Sequence, residues 1–210
     1  MTPYPKIQTI FKRDPETNFK TLLEGDYSLP VFEYLRDCEW YATEKVDGTN
    51  IRIICDADGI TIKGKTDNAQ IPGKLFNTLT KQFMDLYPKL INMFPAGVCL
   101  YGEGYGAGIQ KGGNYRPDQN FVLFDVKVDE FWLLYADIKE IADELRLDVV
   151  PIMLAGVHIN QAITLVRHGF KSTWGDFMAE GLVIQPCEQL FTRNGERVIT
   201  KLKYKDFVRS

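Results

Sequence analysis

A lysine at the end of an apolar strand is the first residue of this chain with an evident chemical use. Lys45 stands in Thr43-Glu44-Lys45-Val46-Asp47-Gly48-Thr49-Asn50, after the strand-like Trp40-Tyr41-Ala42 and before Ile51, Ile53 and Ile54, at a bend marked by an Asp-Gly turn. An amine becomes a nucleophile only once its proton has left, which near neutral pH takes desolvation or neighbouring positive charge. Cations are at hand: in Ile199-Thr200-Lys201-Leu202-Lys203-Tyr204 the alternation of a strand puts Lys201 and Lys203 on one face. From the eight residues around Lys45 alone, the ordinary reading is a surface lysine beside a hairpin turn.

These residues must be positioned by a sizeable fold. At 210 residues, 45% apolar and 12% aromatic, the chain can bury a substantial core and suits one large domain, or one domain with a small appendage. Four scattered cysteines, Cys38, Cys55, Cys99 and Cys187, and two histidines, His158 and His168, form no zinc pattern and fit a reduced, cytoplasmic setting. The N-terminal Met1-Thr2-Pro3-Tyr4-Pro5-Lys6 has no apolar signal core, and no run reaches the length of a membrane span, so no membrane partner is expected. A net charge of -3 argues against a generally basic nucleic-acid binder. Charge is unevenly spread, however. From Arg193 to Ser210 the basic residues Arg193, Arg197, Lys201, Lys203, Lys205 and Arg209 outnumber Glu196 and Asp206, a local excess that could meet a phosphate-rich partner or be a solvated face.

In chain order, a short helical turn is expected within 28–37, strands at 40–46 and 50–56, and a hairpin through Ala57-Asp58-Gly59 into Ile60–Lys65, a meander that would bring Lys65 near the Lys45 end of the sheet. Leu75, Phe76, Leu79, Phe83 and Leu86 recur at helical spacing, with Pro88 expected to stop or restart that helix. Strands follow at 97–103 and 120–126, then a helix opened by a capping box at Asp137-Ile138-Lys139-Glu140. A helix from Asn160 to His168 ends at Gly169, and strands return at 181–185 and 197–203. With no repeat and no linker, the expectation is a single α+β domain over 1–210, of largely antiparallel sheets with peripheral helices.

Gly102-Glu103-Gly104-Tyr105-Gly106-Ala107 after a strand, with Asp125 downstream, matches a dinucleotide-binding fingerprint. The match is misleading. Such a turn must feed a helix that holds a pyrophosphate, and Lys111-Gly112-Gly113-Asn114-Tyr115-Arg116-Pro117 cannot propagate one.

Five short motifs stand in a telling order: Lys45-Val46-Asp47-Gly48, Tyr101-Gly102-Glu103-Gly104, Phe121-Val122-Leu123-Phe124-Asp125, Glu180-Gly181-Leu182-Val183 and Lys201-Leu202-Lys203. Each is common by chance; all five in order resemble the covalent nucleotidyltransferases, the superfamily of polynucleotide ligases and mRNA capping enzymes. Gly64-Lys65-Thr66-Asp67-Asn68-Ala69-Gln70-Ile71-Pro72, Gly108-Ile109-Gln110-Lys111 and Arg193-Asn194-Gly195-Glu196-Arg197-Val198 narrow the resemblance to the RNA ligase 2 family of phage-type RNA repair enzymes.

The resemblance implies an adenylation domain of the ATP-grasp-like ligase type; most relatives continue into a further C-terminal domain, and none is expected in this chain. It implies an ATP-dependent RNA ligase, a magnesium enzyme with manganese as an alternative ion, acting as a monomer on RNA with 5′-phosphate and 3′-hydroxyl ends, with a nicked duplex, a single strand and an RNA/DNA hybrid all open as the substrate. Lys45 then corresponds to the residue that takes AMP, Lys201 and Lys203 to the contacts of the α-phosphate, Glu103 to the ribose-binding acid, Phe124 to the aromatic under adenine, and Glu180 to the metal-site carboxylate. Glu44, through its backbone, and Lys65 complete the nucleotide site; Lys65 stands where relatives usually carry arginine, and Gln185 where they often carry a cation. The alternatives are a nick ligase for DNA or hybrids, a GTP-using capping enzyme, and a noncatalytic module that binds nucleotides or RNA ends.

Overall fold

The computed structural model describes residues 3–208; Met1 and Thr2 of the N-terminal stretch, and Arg209 and Ser210 of the basic C-terminal run, lie outside the described residues. The chain begins with β1 (Gln8–Thr9), β2 (Phe11–Arg13), β3 (Leu22–Tyr27), the short helix α1 (Pro30–Tyr34) and β4 (Trp40–Glu44). Next come β5 (Thr49–Asp56), β6 (Gly59–Lys63), α2 (Gly73–Met93), β7 (Val98–Gly106), β8 (Gln119–Val128), β9 (Phe131–Trp132), α3 (Tyr135–Leu145) and β10 (Asp148–Val149). Finally β11 (Ile152–Val157), α4 (Ile159–His168), β12 (Gly181–Pro186), β13 (Thr200–Lys203) and α5 (Tyr204–Phe207) follow. This is the α+β class read from the sequence, and among the described residues all strand pairs are antiparallel except β1 on β13 and β10 on β8.

The chain divides into two compact units. An inserted unit holds Asp47–Val150 with the residues up to Pro5, and a flanking unit holds Lys6–Val46 with the residues from Pro151 onward. In the inserted unit, strands run β10-β8-β7-β5-β6 with β9 beside β8. Ile51, Ile53, Leu100, Phe121 and Leu123 point from one sheet face onto Leu75, Leu79 and Phe83 of α2 and Ile138 and Ala142 of α3. In the flanking unit, strands run β1-β13-β12-β4-β11, and Trp40, Ala42, Leu182, Ile184 and Leu202 pack with Ile159, Ile163 and Val166 of α4.

Three expectations are corrected. The strands on either side of Lys45 do not form one meander: β4 pairs with β11 and β12, whereas β5 pairs with β6 and β7, so Lys65, beyond β6, does not share a sheet with the strand of Lys45. Apolar alternation specifies that a segment is a strand but not which strand it joins. Pro88 does not stop α2, which runs on to Met93. Proline removes the hydrogen bond to the carbonyl of Met84, but Met84 lies on an exposed face where water can serve it, and Leu90, fully buried, ties the next turn to the core. Asp137 is not the cap of α3 but its third residue, where its carboxylate accepts from the Leu134 backbone N–H at 3.3 Å. The segment after β7 forms only one 3-10 turn, Gly112–Asn114, consistent with rejecting the dinucleotide fingerprint.

Candidate active site

In the flanking unit, β12 lies between β4 and β13, with Leu182 opposite both Glu44 and Leu202. Lys45 leaves the end of β4, its backbone N–H donating to Gly181 O at 2.9 Å; Glu180 leaves the adjacent end of β12; and Lys203 ends β13 opposite Gly181. Their side chains therefore meet. Glu180 accepts from Lys45 Nζ through Oε2 and from Lys203 Nζ through Oε1, both at 2.7 Å. All three are largely shielded, the Lys45 side chain being 21% exposed and that of Glu180 13%.

Burial pushes the Glu180 carboxyl up, but the charges and hydrogen bonds of Lys45 and Lys203 outweigh it and hold the group below the usual carboxylate range. The expected cage of cations around Lys45 is thus a Lys-Glu-Lys bridge in which one carboxylate is shared by the two ammonium groups. Lys201 lies on the same face of β13 as Lys203, and these two half-buried lysines alternate with buried Thr200 and Leu202.

Glu44 is 1% exposed, and its carboxylate faces the segment after α4: Oε1 accepts from Ser172 Oγ at 2.6 Å, and Oε2 from the Thr173 N–H and Oγ1 at 2.9 Å each. The side chain is therefore an anchor for that segment, whose partners Ser172 and Thr173 no local pattern in the sequence marks.

In the inserted unit, Glu103 on β7 and Phe124 on β8 lie on the sheet face opposite the core residues Leu100 and Leu123. Phe124 falls in a register shift: Gly102 pairs with Leu123 and Tyr101 with Asp125, leaving Phe124 as the extra residue of a bulge. The bulge sends Phe124 and Asp125 to the same side, and Tyr4 touches both. Its ring stands edge-on to Phe124 with centroids 5.0 Å apart, and its hydroxyl donates to Asp125 Oδ2 at 2.8 Å. Glycine at 48 serves a close approach: a Cβ there would lie 2.3 Å from Gly104 O and 2.8 Å from Glu103 Cγ. Lys65 is exposed, in a turn held from below by Arg52, which donates to Gly64 O at 3.0 Å and to Asp67 Oδ1 at 2.8 Å. Arg52 is fully buried, a role that a strand arginine does not announce in sequence.

Among the described residues no three His, Cys, Asp or Glu side chains gather as a metal site. One carboxylate beside Lys45 suits an ion such as magnesium, which takes one or two protein oxygens and fills its shell with water and phosphate. Likewise among the described residues, no helix is long and apolar enough to cross a membrane.

Solved structures of the RNA ligase of Naegleria gruberi share this fold. A point mutant with AMP and Mn matches with a TM-score of 0.67 at 16% identity, over 100% of this chain and 60% of that one. The ligase with pyrophosphate matches at 0.67 and 17% identity over 100% and 59%, and another mutant with ATP and Mn at 0.68 and 16% over 100% and 60%. The chain thus spans about 60% of the length of these ligases. The family model described as RNA ligase matches residues 38–203, a stretch that includes β4, β12 and β13 and all three members of the bridge, and the chain accordingly belongs to the RNA ligase family.

Proposed function

We propose that the protein is an ATP-dependent RNA ligase that works through a covalent lysyl-AMP at Lys45. The observation that carries this reading is the half-buried Lys45 Nζ, 2.7 Å from Glu180 and joined through it to Lys203. For attack, the amine must leave Glu180 and give up a proton. Its lone pair then forms a bond to the α-phosphorus of ATP while the bond to the bridging oxygen breaks and pyrophosphate departs with that electron pair. In the second step an oxygen of an RNA 5′-phosphate displaces the lysine, and in the third the 3′-hydroxyl attacks the activated 5′-phosphorus and AMP leaves.

Phosphoryl transfer of this kind needs in-line positioning and charge neutralisation more than further covalent chemistry. Lys201 and Lys203 supply cations for the α-phosphate, Phe124 a surface for adenine, Glu103 an acceptor for the ribose, and the Glu44 backbone and Lys65 further nucleotide contacts. Glu180 would hold magnesium or manganese, whose positive charge stabilises the oxygens of the transferring phosphoryl group. Relatives of this fold with AMP, ATP or pyrophosphate support the choice of nucleotide.

The test is to incubate the protein with ATP labelled at the α-phosphate and magnesium, and to follow label on the polypeptide. Covalent label is expected in the parent and none in Lys45→Ala or Lys45→Arg, since guanidinium does not deprotonate in this range. Label that survives Lys45→Ala would overturn the reading. Sealing of matched RNA, DNA and hybrid nicks then identifies the substrate, with RNA expected to be preferred and a DNA preference pointing to a nick ligase.

A further inference from the structure

A cationic cavity in the flanking unit lies beside the last strand and shares Lys201 and Lys203 with the candidate active site. This cavity of about 630 Å³ is bounded by the N-terminal segment from Lys6 to Lys20 and by the basic end of the chain at β13 and α5. Three of its cations are already matched by acids: Lys12 pairs with Asp26, Arg13 with Asp206, and Lys203 with Glu180. Lys6, Lys20 and Lys205 also line it, are exposed, and have no carboxylate partner among the described residues. Phe19 stands among them with 61% of its surface exposed.

The exposure of Phe19 is built in. Asn18 and Phe19 take successive left-handed backbone conformations, φ 52° and 59°, which side chains other than glycine seldom adopt. The Phe19 N–H donates to Asp14 O at 2.9 Å, and Arg13 Nη1 donates to Phe19 O at 3.2 Å, so both sides of the residue are fixed while its ring is held outward. An aromatic platform among unmatched lysines is the combination that binds single-stranded nucleic acid, lysines meeting phosphates and the ring a base. A triphosphate would use the cations but not the ring, because the one base of ATP is assigned to Phe124.

We propose that this cavity takes a single-stranded stretch of the RNA substrate, with phosphodiesters on Lys6, Lys20 and Lys205 and one unstacked base on Phe19. This deepens, and rests on, the reading of the protein as an RNA ligase. It joins the basic C-terminal run seen in the sequence to the N-terminal segment, a pairing that β1 on β13 brings about.

The experiment uses the full chain with Phe19→Ala, Phe19→Trp and Lys20→Glu, all at exposed positions. It measures affinity for a labelled 5′-phosphorylated single-stranded RNA by fluorescence anisotropy and, separately, lysyl-AMP formation across ATP concentrations. Phe19→Ala is expected to weaken RNA binding about tenfold, within the usual range for loss of one stacked base. Phe19→Trp should keep the affinity, Lys20→Glu should weaken it and flatten its salt dependence, and all three should form adenylate as the parent does. RNA affinity unchanged in both Phe19→Ala and Lys20→Glu overturns the site while leaving the ligase reading intact. A raised ATP requirement with unchanged RNA affinity overturns it in favour of a triphosphate pocket. Loss in Phe19→Trp equal to that in Phe19→Ala rules out stacking. A parent that forms no adenylate, yet loses RNA affinity in Phe19→Ala, supports the site and removes the ligase reading.

Discussion

Glu180 is the residue on which the chemistry of the flanking unit turns, because both its oxygens are engaged by ammonium groups, one of them that of the proposed nucleophile. Burial opposes its ionised form, and Lys45 and Lys203 more than restore it, so its folded value lies below the value in an unfolded chain. A group depressed in this way stabilises the fold fully above the ordinary carboxylate range and loses that contribution as pH falls through the folded value. The melting temperature of the parent should therefore drop on acidification through that range more steeply than that of Glu180→Gln, which thermal unfolding across a pH series would check. The same substitution puts an uncharged amide against two cations. Adenylate formation should fall by about a hundredfold at neutral pH, the scale of removing one preorganised electrostatic partner. Equal acid sensitivity in the two proteins would show that another carboxylate controls it.

A strand contact at one glycine sets the geometry that those side chains share. Gly181 begins β12 at φ 153°, and a Cβ there would fall 1.9 Å from Leu202 O on β13; the same residue accepts the Lys45 backbone N–H. Alanine at 181 must therefore push β12 from β13 and part Glu180 from Lys203. Gly181→Ala is expected to cost about 1–3 kcal/mol, a lowering of the melting temperature by several degrees, and most of the adenylation activity. Gly73, at the start of α2, has open space at its would-be Cβ, so Gly73→Ala should leave both unchanged or add slight stability. An indifferent Gly181→Ala would mean that the β12–β13 approach is not what aligns the bridge. Gly48 illustrates the same physics in the inserted unit: Asp-Gly suggests a turn, but the close neighbours Gly104 and Glu103 are what exclude a side chain there.

Over the whole molecule the net charge of -3 works against long-range attraction of RNA, so the proposed RNA binding has to come from local cations. If the three proposed lysines meet phosphates on a single strand, the logarithm of the RNA association constant should fall with the logarithm of salt concentration at a slope of about -2. A much steeper slope, measured by anisotropy over a salt series, would require a larger phosphate-binding surface than this cavity. Much of the protein was legible before its coordinates. The strands that end beside Lys45 and Glu180 and at Lys203, the helices at α2 and α4, and the motif order that marks the family all follow from alternation, helical spacing and short signatures, which are local properties of the chain. The partnership of Lys45 with Glu180, 135 residues away, is not local, nor are the division of β4 and β5 between two sheets, the bulge that turns Phe124, the burial of Arg52, and the lining of one cavity by both Phe19 and Lys205. A sequence specifies which residues can pair and on which face they stand; strand order and register, decided only when the two cores close, determine which of them do.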